Sequence, residues 1–223
     1  LVLYGSPALS GVYGFRITLQ GKGGHGAEPH NCHDAVTCCA AIVNSLQTIV
    51  SREYRPIDAA VCTVGRMDVG TRWNVIADSG YLAGTTRCFD RQVFAEFPER
   101  IERIVKGTCE AYRCTYKTKY TTLTTPTVNH PYMADIIDGA CKKIYGDDDS
   151  YKIDFDPTTG GEDFCFFIDA APDQMGAVAL VGCGCEAKDT FHAHHSPKFK
   201  VDEDALLNGA CLYCQVAADF LNK

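Results

Sequence analysis

The chain has 223 residues, of which 46% are hydrophobic and 22% are charged, and its formal net charge is −7. This composition is typical of folded globular proteins and excludes a disordered chain. The acidic balance argues against nucleic acid or an anionic membrane as a partner, and no apolar stretch approaches the roughly 18 residues of a membrane span. The opening segment lacks the basic region of a secretory signal, so we expect a soluble, cytoplasmic protein.

The first half of the chain predicts a domain of mixed α and β elements, of α+β or α/β class. Period-two alternation indicates strands and helical spacing of apolar residues indicates helices, in the order strand 12–20, helix 32–52, strand 59–69, strand 80–89, helix 91–112 and strand 114–123. The order β-α-β-β-α-β is that of the ferredoxin-like split βαβ unit. Between the first two elements, the glycine-dense segment 21–26 predicts a turn whose backbone adopts positive φ or approaches another group closely.

The second half indicates part of a layered α/β domain. The predicted elements are a helix near 132–145, a short strand near 151–155, a buried strand over 176–182, a polar loop over 191–199 and a helix over 203–221. Alternating α and β elements favour a layered architecture. Taken alone, this half has too few strands for a complete sheet.

Thirteen cysteines are present, an odd number, so at least one thiol has no partner within the chain. Most lie in apolar runs, where thiols pack as small hydrophobic groups, and we expect them to be reduced. Cys183 and Cys185 together with Cys211 and Cys214 allow a zinc knuckle as an alternative. Because Cys211 and Cys214 fall inside a helical pattern, core packing is the favoured interpretation for them.

Three segments have side chains suited to chemistry. His192, His194 and His195 form either a metal-ligand cluster or a solvated polar loop. Glu162 and Asp163, in a GGEDF segment, are either paired carboxylates of a functional site or acids that complement the dipole at a helix start. His25, flanked by glycines, either reaches an outside ligand or belongs to an ordinary turn. Walker, dinucleotide-binding and Gly-x-Ser-x-Gly patterns are missing from the sequence.

Together these segments resemble the aminoacylase/carboxypeptidase family of co-catalytic metallopeptidases, in particular its N-acyl-amino-acid, hippurate and auxin-conjugate amidohydrolases. The resemblance rests on GKGGHGAEPH, WNVIAD, GTTRCFD, GGEDF and HHSPKF, in this order along nearly the whole chain. It implies a catalytic α/β domain interrupted by a ferredoxin-like lid that forms the dimer. Residues 1–11 then end a catalytic-domain segment, 12–125 form the lid, and 126–223 form the carboxy-terminal part of the catalytic domain.

The resemblance also implies roles for five residues. His195, before Ser-Pro, matches the family's last metal ligand. His25 matches the lid histidine that, in family dimers, reaches the other subunit's active site and donates a hydrogen bond to the oxyanion. Asn74 and Arg87 match positions that contact the substrate carboxylate, although a strand-edge salt bridge is the alternative for Arg87. Glu162 lies in the segment that lines the catalytic cleft, and we place it with the substrate-binding residues.

The implied enzyme is a metal-dependent amidohydrolase that uses two divalent ions, zinc, manganese or cobalt, and releases an amino acid from an N-acyl amino acid or a similar small amide bearing a carboxylate. We expect a homodimer formed through the lid, with the open edge of the strand at residues 59–64 pairing across a two-fold axis.

The family's amino-terminal half, which supplies most metal ligands and the general base, has no counterpart in this sequence. We therefore expect the chain alone to be inactive and to hold no metal by itself. A non-catalytic dimerisation or binding module is the alternative, and a cysteine-based redox or zinc protein is a third.

Overall fold

The computed structural model describes residues 2–3, 9–147 and 156–222. Its strands and α-helices, in chain order, are β1 (Val2–Leu3), β2 (Gly11–Gln20), β3 (Gly24–His25), α1 (Ala35–Thr48), β4 (Ala60–Val69), β5 (Val75–Ile76), β6 (Ser79–Cys88), α2 (Arg91–Ala111), β7 (Thr115–Thr124), α3 (Pro131–Tyr145), α4 (Cys165–Ala170), β8 (Ala179–Leu180) and α5 (Asp204–Leu221). The chain divides into two compact units, which we call the sheet unit (9–126 with 159–165) and the second unit (the described residues among 1–8, 127–158 and 166–223).

The sheet unit is built on four antiparallel strands in the order β4-β6-β2-β7. Along β2, Phe15, Ile17 and Leu19 are buried in one core with side chains from α1 and α2, whereas Arg16 and Thr18 between them are exposed. This alternation is what a sheet with one covered face requires. The mixed α/β class and the β-α-β-β-α-β order of the main elements are confirmed, and β3 and β5 are short additional strands.

The two long helices of the sheet unit begin at aspartate caps. Asp34 Oδ1 accepts a hydrogen bond from Val36 N over 2.8 Å, and Asp90 Oδ1 accepts one from Gln92 N over 2.8 Å. An aspartate at this position satisfies backbone N–H groups that have no partner inside the helix. The first helix therefore starts at Ala35, not at residue 32 as predicted, and its end continues as a π-helical turn over Ile49–Glu53.

The second unit confirms two predicted helices, α3 and α5, which pack together through Ile137, Ala140 and Leu212. The strand predicted over 176–182 is reduced to β8, which pairs with β1. The strand predicted near 151–155 lies outside the described residues. Among the described residues, no helix combines the length and apolarity needed to cross a membrane.

The cysteines follow the prediction in part. All thirteen are free thiols, and nine of them are buried, so packing as small apolar groups is confirmed for those nine. The prediction is wrong for Cys211 and Cys214, which are exposed on α5. Helical periodicity identified α5 correctly, but it does not say which face of the helix is covered.

The core of the sheet unit yields a first prediction. Ile17 on β2 is fully buried, so Ile17→Ala should lower the free energy of unfolding by about 2–5 kcal/mol through lost burial and a residual cavity. Its neighbour Thr18 is exposed, and Thr18→Ala is the matched control with an expected change below about 1 kcal/mol. Urea unfolding measures both variants, and equal losses would contradict the assignment of the two faces.

Candidate functional site

A short two-stranded ladder brings two predicted site residues together. Strands β3 and β5 pair antiparallel, with His25 opposite Val75. The next residue, Gly26, donates its N–H to the carbonyl oxygen of Asn74 over 2.9 Å. The side chains of His25 and Asn74 are both exposed. The structure therefore places both residues on one projecting element, which we call the histidine loop (residues 21–26 and 74–78).

The histidine ring is held in one tautomer. Ala27 N–H donates to His25 Nδ1 over 3.1 Å. Because Nδ1 accepts this hydrogen bond, the neutral ring carries its proton on Nε2. No described residue hydrogen-bonds Nε2, so the exposed ring presents an N–H donor to solvent.

The glycines of the histidine loop are required by close approach of the backbone. A Cβ added to Gly24 would lie 2.5 Å from Cys32 Sγ, and one added to Gly21 would lie 2.2 Å from the carbonyl oxygen of His33. No residue of 21–26, all of which are described, has positive φ. Of the two reasons for glycine expected from the sequence, close approach is therefore the one that applies.

Arg87 lies near the end of β6, a central strand, opposite Val12 on β2 and Val61 on β4. Its Nη1 donates to the carbonyl oxygen of Thr159 over 2.6 Å. The alternative of a strand-edge salt bridge is wrong, because β6 is not an edge strand and the partner is a carbonyl group. The guanidinium has five N–H donors, so this single contact orients the group and leaves other donors for a carboxylate.

The segment that contains Thr159, the hydrogen-bond partner of Arg87, is itself hydrogen-bonded to the residue before β2. Buried Ser10 donates its Oγ to the carbonyl oxygen of Thr159 over 2.7 Å and its N–H to that of Gly160 over 3.0 Å. A Cβ added to Gly161 would lie 2.6 Å from Thr124 Oγ1. Neither Ser10 nor Thr159 was predicted from the sequence. Since the two residues are 149 positions apart, no local pattern points to the pair.

Glu162 follows directly and is exposed. Its Oε1 accepts a hydrogen bond from Phe164 N over 3.4 Å, and its carbonyl oxygen accepts one from Cys165 N over 3.3 Å. These are contacts of a helix start, at the beginning of α4. For this residue the structure favours the helix-start interpretation, and its predicted substrate contact stays a prediction.

The histidine loop and Arg87 lie at opposite ends of β6. Ser79, at the start of the strand, pairs with Gln20, whereas Arg87 pairs with Val12. Eight residues of extended strand span about 25 Å. Asn74 precedes the strand and lies beyond its start. Within one chain, therefore, the two residues predicted to contact a substrate carboxylate are not brought together.

The predicted metal ligand His195 belongs to the second unit, where it is exposed and has a positive φ of 60°. The two nearby histidines, His192 and His194, each contact another side chain. His192 Nε2 lies 3.0 Å from Asp189 Oδ1, and hydrogen bonds from His192 and Lys200 keep the pKa of Asp189 below its usual range. The ring of His194 packs edge-on against Phe199 at 5.0 Å between ring centres.

A metal centre is not formed by the described part of this chain. Within residues 2–3, 9–147 and 156–222, no group of three or more His, Cys, Asp or Glu side chains is spaced to hold a metal ion. Protein zinc sites use at least three such ligands, and His195 supplies one. The residues present therefore do not fit a two-metal centre on their own.

Comparison with known proteins gives a consistent match. The sequence profile described as peptidase family M20/M25/M40 matches residues 4–219. YhaA of Bacillus subtilis (strain 168), which carries the name of an amidohydrolase, is 38% identical over 196 residues, 88% of this chain and 48% of the relative. The N-acetyl-L-cysteine deacetylase of the same organism is 30% identical over 217 residues, 97% of this chain and 49% of the relative.

Among solved structures, YXEP of Bacillus subtilis, described as a dinuclear metal-binding peptidase of the M20 family, matches with a TM-score of 0.77. The match covers 99% of this chain and 53% of that one, at 22% identity, and so shows the same fold. The chain spans about half the length of the curated relatives that it matches.

The histidine loop yields a second prediction. Gly24→Ala places a methyl group 2.5 Å from Cys32 Sγ, so we expect a displaced loop and a loss of about 1–3 kcal/mol in unfolding free energy. Gly107→Ala on α2 is the matched control, because nothing lies within 4 Å of the added Cβ, and it should stabilise by up to about 1 kcal/mol. Urea unfolding gives the energies, and NMR shifts of His25 report the loop. An unshifted His25 signal in Gly24→Ala would contradict the close approach.

Proposed function

The chain belongs to peptidase family M20/M25/M40, and we propose that it supplies the lid and the carboxy-terminal part of the catalytic domain of a metal-dependent amidohydrolase. The substrates we propose are N-acyl amino acids or similar small amides with a free carboxylate. The names of an amidohydrolase and of an N-acetyl-amino-acid deacetylase among its relatives support this substrate class.

The observation that carries the proposal is the state of His25. Amide hydrolysis passes through a tetrahedral intermediate whose oxygen becomes negatively charged, and fixed N–H donors stabilise that charge. The hydrogen bond from Ala27 N–H to Nδ1 orients the ring and leaves the proton on the exposed Nε2. In our proposal, this Nε2–H donates to the oxyanion, and Asn74, held beside it, contacts the substrate.

Arg87 is the proposed carboxylate-binding residue. Its contact with the Thr159 carbonyl oxygen, which Ser10 also contacts, holds the guanidinium at the end of the sheet. A guanidinium held in this way loses little further side-chain entropy when it binds both oxygens of a carboxylate. Glu162, on the same segment, is a further substrate-lining residue in this proposal.

The sheet unit is proposed to be a ferredoxin-like lid over residues 12–125, between a catalytic segment at 1–11 and another at 126–223. The antiparallel order β4-β6-β2-β7, with one core shared by the sheet, α1 and α2, supports the ferredoxin-like arrangement. Segment 159–165, which the proposed boundaries assign to the catalytic part, groups with the sheet unit.

A homodimer through the lid is proposed from the same sheet. Strand β4 is at the edge, and its backbone is free to pair with a second copy. An open groove of about 290 Å³ beside this edge is formed by α1 and β4. Its lining includes apolar Val43, Val64 and half-exposed Met67 together with polar Asn44 and Arg66. A dimer also accounts for the separation along β6, because a second copy can bring its histidine loop to the Arg87 end of the first.

His195 is proposed as one metal ligand of the complete enzyme, with zinc, manganese or cobalt as the ions. The other ligands would come from the part of the protein outside this chain. On α5, Leu207 is 70% and Tyr213 82% exposed. An exposed apolar face of this kind is typical of a surface that another segment covers, which supports a further packing partner for α5.

The second candidate function is a non-catalytic dimerisation or binding module. The single metal-ligand match in the described residues favours it. The cytoplasmic location expected from the sequence stays a prediction.

Dimer formation is testable at the β4 edge. Met67→Lys places a charge in the groove beside the β4 edge, and it should therefore convert dimers into monomers. These monomers should be folded, because Met67 is 50% exposed. Leu123→Lys on β7, the opposite edge, replaces a side chain of similar exposure, 51%, and should leave the dimer intact. Sedimentation velocity measures both. A parent chain that is monomeric at high micromolar concentration would contradict the proposal.

Catalysis is testable by supplying the amino-terminal half that we propose for the complete enzyme. We expect no hydrolysis of N-acetyl or N-benzoyl amino acids by this chain alone, and metal-dependent turnover when the upstream half is supplied. In the active form, Arg87→Ala should raise KM for the carboxylate substrate at least tenfold, the equivalent of about 1.4 kcal/mol.

Two further outcomes separate the candidates. Turnover by the pure chain, abolished by a chelator and by His195→Ala, would show that the chain suffices. Absence of turnover even with the upstream half and added metal would favour the non-catalytic module.

A further inference from the structure

Three buried thiols form a cluster between the helices and the outer strand of the sheet unit. Cys38 on α1 and Cys109 on α2 are in contact, with 4.0 Å between their Sγ atoms. Cys114, just before β7, is the third member, and its N–H donates to the carbonyl oxygen of Cys109 over 2.9 Å. Their exposures are 0%, 1% and 7%, so all three are buried and Cys114 is the most exposed of them. None of the three belongs to the proposed amidohydrolase site.

A surface cavity gives access to this cluster. It has a volume of about 650 Å³ and lies between α2 and β7, with Cys109 and Cys114 in its lining. The lining also contains Lys106, Glu110 and Lys117, all of which are exposed, so the cavity opens to solvent. Charged groups of both signs at its mouth suit a small zwitterionic molecule better than an apolar one.

We propose that this cavity and its three thiols are a site of thiol–disulfide exchange with low-molecular-weight disulfides, and that exchange ends in a disulfide between Cys38 and Cys109. Cys114 is the entry thiol because it is the most exposed of the three. Cys38 is the resolving thiol because its Sγ lies 4.0 Å from that of Cys109, the residue whose carbonyl oxygen binds Cys114 N–H.

The exchange proceeds through single substitutions at sulfur. The Cys114 thiolate attacks the small disulfide and releases one small thiol. Cys38 then attacks Cys114 Sγ and releases the second. Attack of Cys109 on Cys38 Sγ moves the bridge to the pair in contact and returns Cys114 as a thiol. In sum, two protein thiols lose two electrons and two protons, and the small disulfide leaves as two thiols.

Burial alone neither makes a thiol reactive nor separates the cluster from the other buried cysteines. Burial raises the pKa of Cys109 to about 11, and it raises that of Cys38 further with contributions from Cys109 and Cys114. Such thiols react slowly with outside reagents. Exchange inside the cluster is favoured instead by proximity, since the attacking sulfur is already next to its target. Cys62 is also buried, with an exposure of 8%, and its pKa is also raised to about 11, but only by burial, with no cysteine contributing.

The bridge would join α1 to α2 across 71 residues of chain. A cross-link of this span restricts the unfolded chain far more than the folded one. The oxidised protein should therefore melt at a higher temperature than the reduced protein, and a reducing agent should reverse the shift.

The test is treatment of the folded chain with glutathione disulfide, followed by alkylation in denaturant and peptide mapping by mass spectrometry. We expect a Cys38–Cys109 linked peptide, with Cys62 still a free thiol in the same sample. Cys38→Ala should accumulate glutathione on Cys114, because the resolving thiol is gone. Cys62→Ala is the matched control and should form the bridge like the parent chain.

Exposed Cys211 and Cys214 report whether the reagent was active. If they take up glutathione while Cys38 and Cys109 remain free thiols, the proposal is overturned. A mixed disulfide that persists on Cys114 in the parent chain, with no internal bridge, would overturn it as well. Melting curves of both variants before treatment establish that they are folded.

Discussion

The length of one rigid strand constrains the whole proposed site. Strand β6 carries Arg87 near its end, and the histidine loop with Asn74 lies before its start. Because β6 is hydrogen-bonded along its length to β2 and β4, the strand cannot bend to bring its two ends together. A small N-acyl amino acid is much shorter than this strand. The two ends therefore contact the same substrate only if they come from different copies of the chain.

Each end of the strand is stabilised by its own local packing. At one end, Gly24 lets the backbone approach Cys32, and a backbone N–H fixes the His25 ring with its donor outward. At the other end, the buried Ser10 and the side chain of Arg87 converge on one carbonyl oxygen of Thr159. Both ends use backbone groups as the fixed reference, so both side chains are oriented before any ligand arrives.

The sheet unit was predictable from sequence because its signals are local. Alternation in β2 identifies the buried Ile17 and the exposed Thr18. The first helix was predicted to start at residue 32, whereas the cap at Asp34 sets its start at Ala35. The contact of Arg87 with Thr159 was not predictable, since 72 residues separate the two. Periodicity also failed for Cys214, because a helix shows its apolar face in the sequence whether or not something covers it.

The second unit was predicted less well for a related reason. Helices such as α3 and α5 form from contacts within one segment and were found correctly. A strand needs a neighbour, and the apolar run over 176–182 becomes a strand only where β8 meets β1. The resemblance to a metallopeptidase family, carried by short motifs such as GGEDF and HHSPKF, identified the family that the profile match then showed.

The central claim, that two copies complete one site, is tested most directly by mixing inactive variants of the complete enzyme. His25→Ala and Arg87→Ala should each abolish or strongly reduce turnover. When the two are dissociated and reassociated together, half of the dimers are hybrids, and each hybrid has one site with both residues intact. Activity should then return to about a quarter of the parent value. If hybrids form, as shown by a tag on one variant, and no activity returns, then His25 and Arg87 act within one chain and the account is wrong.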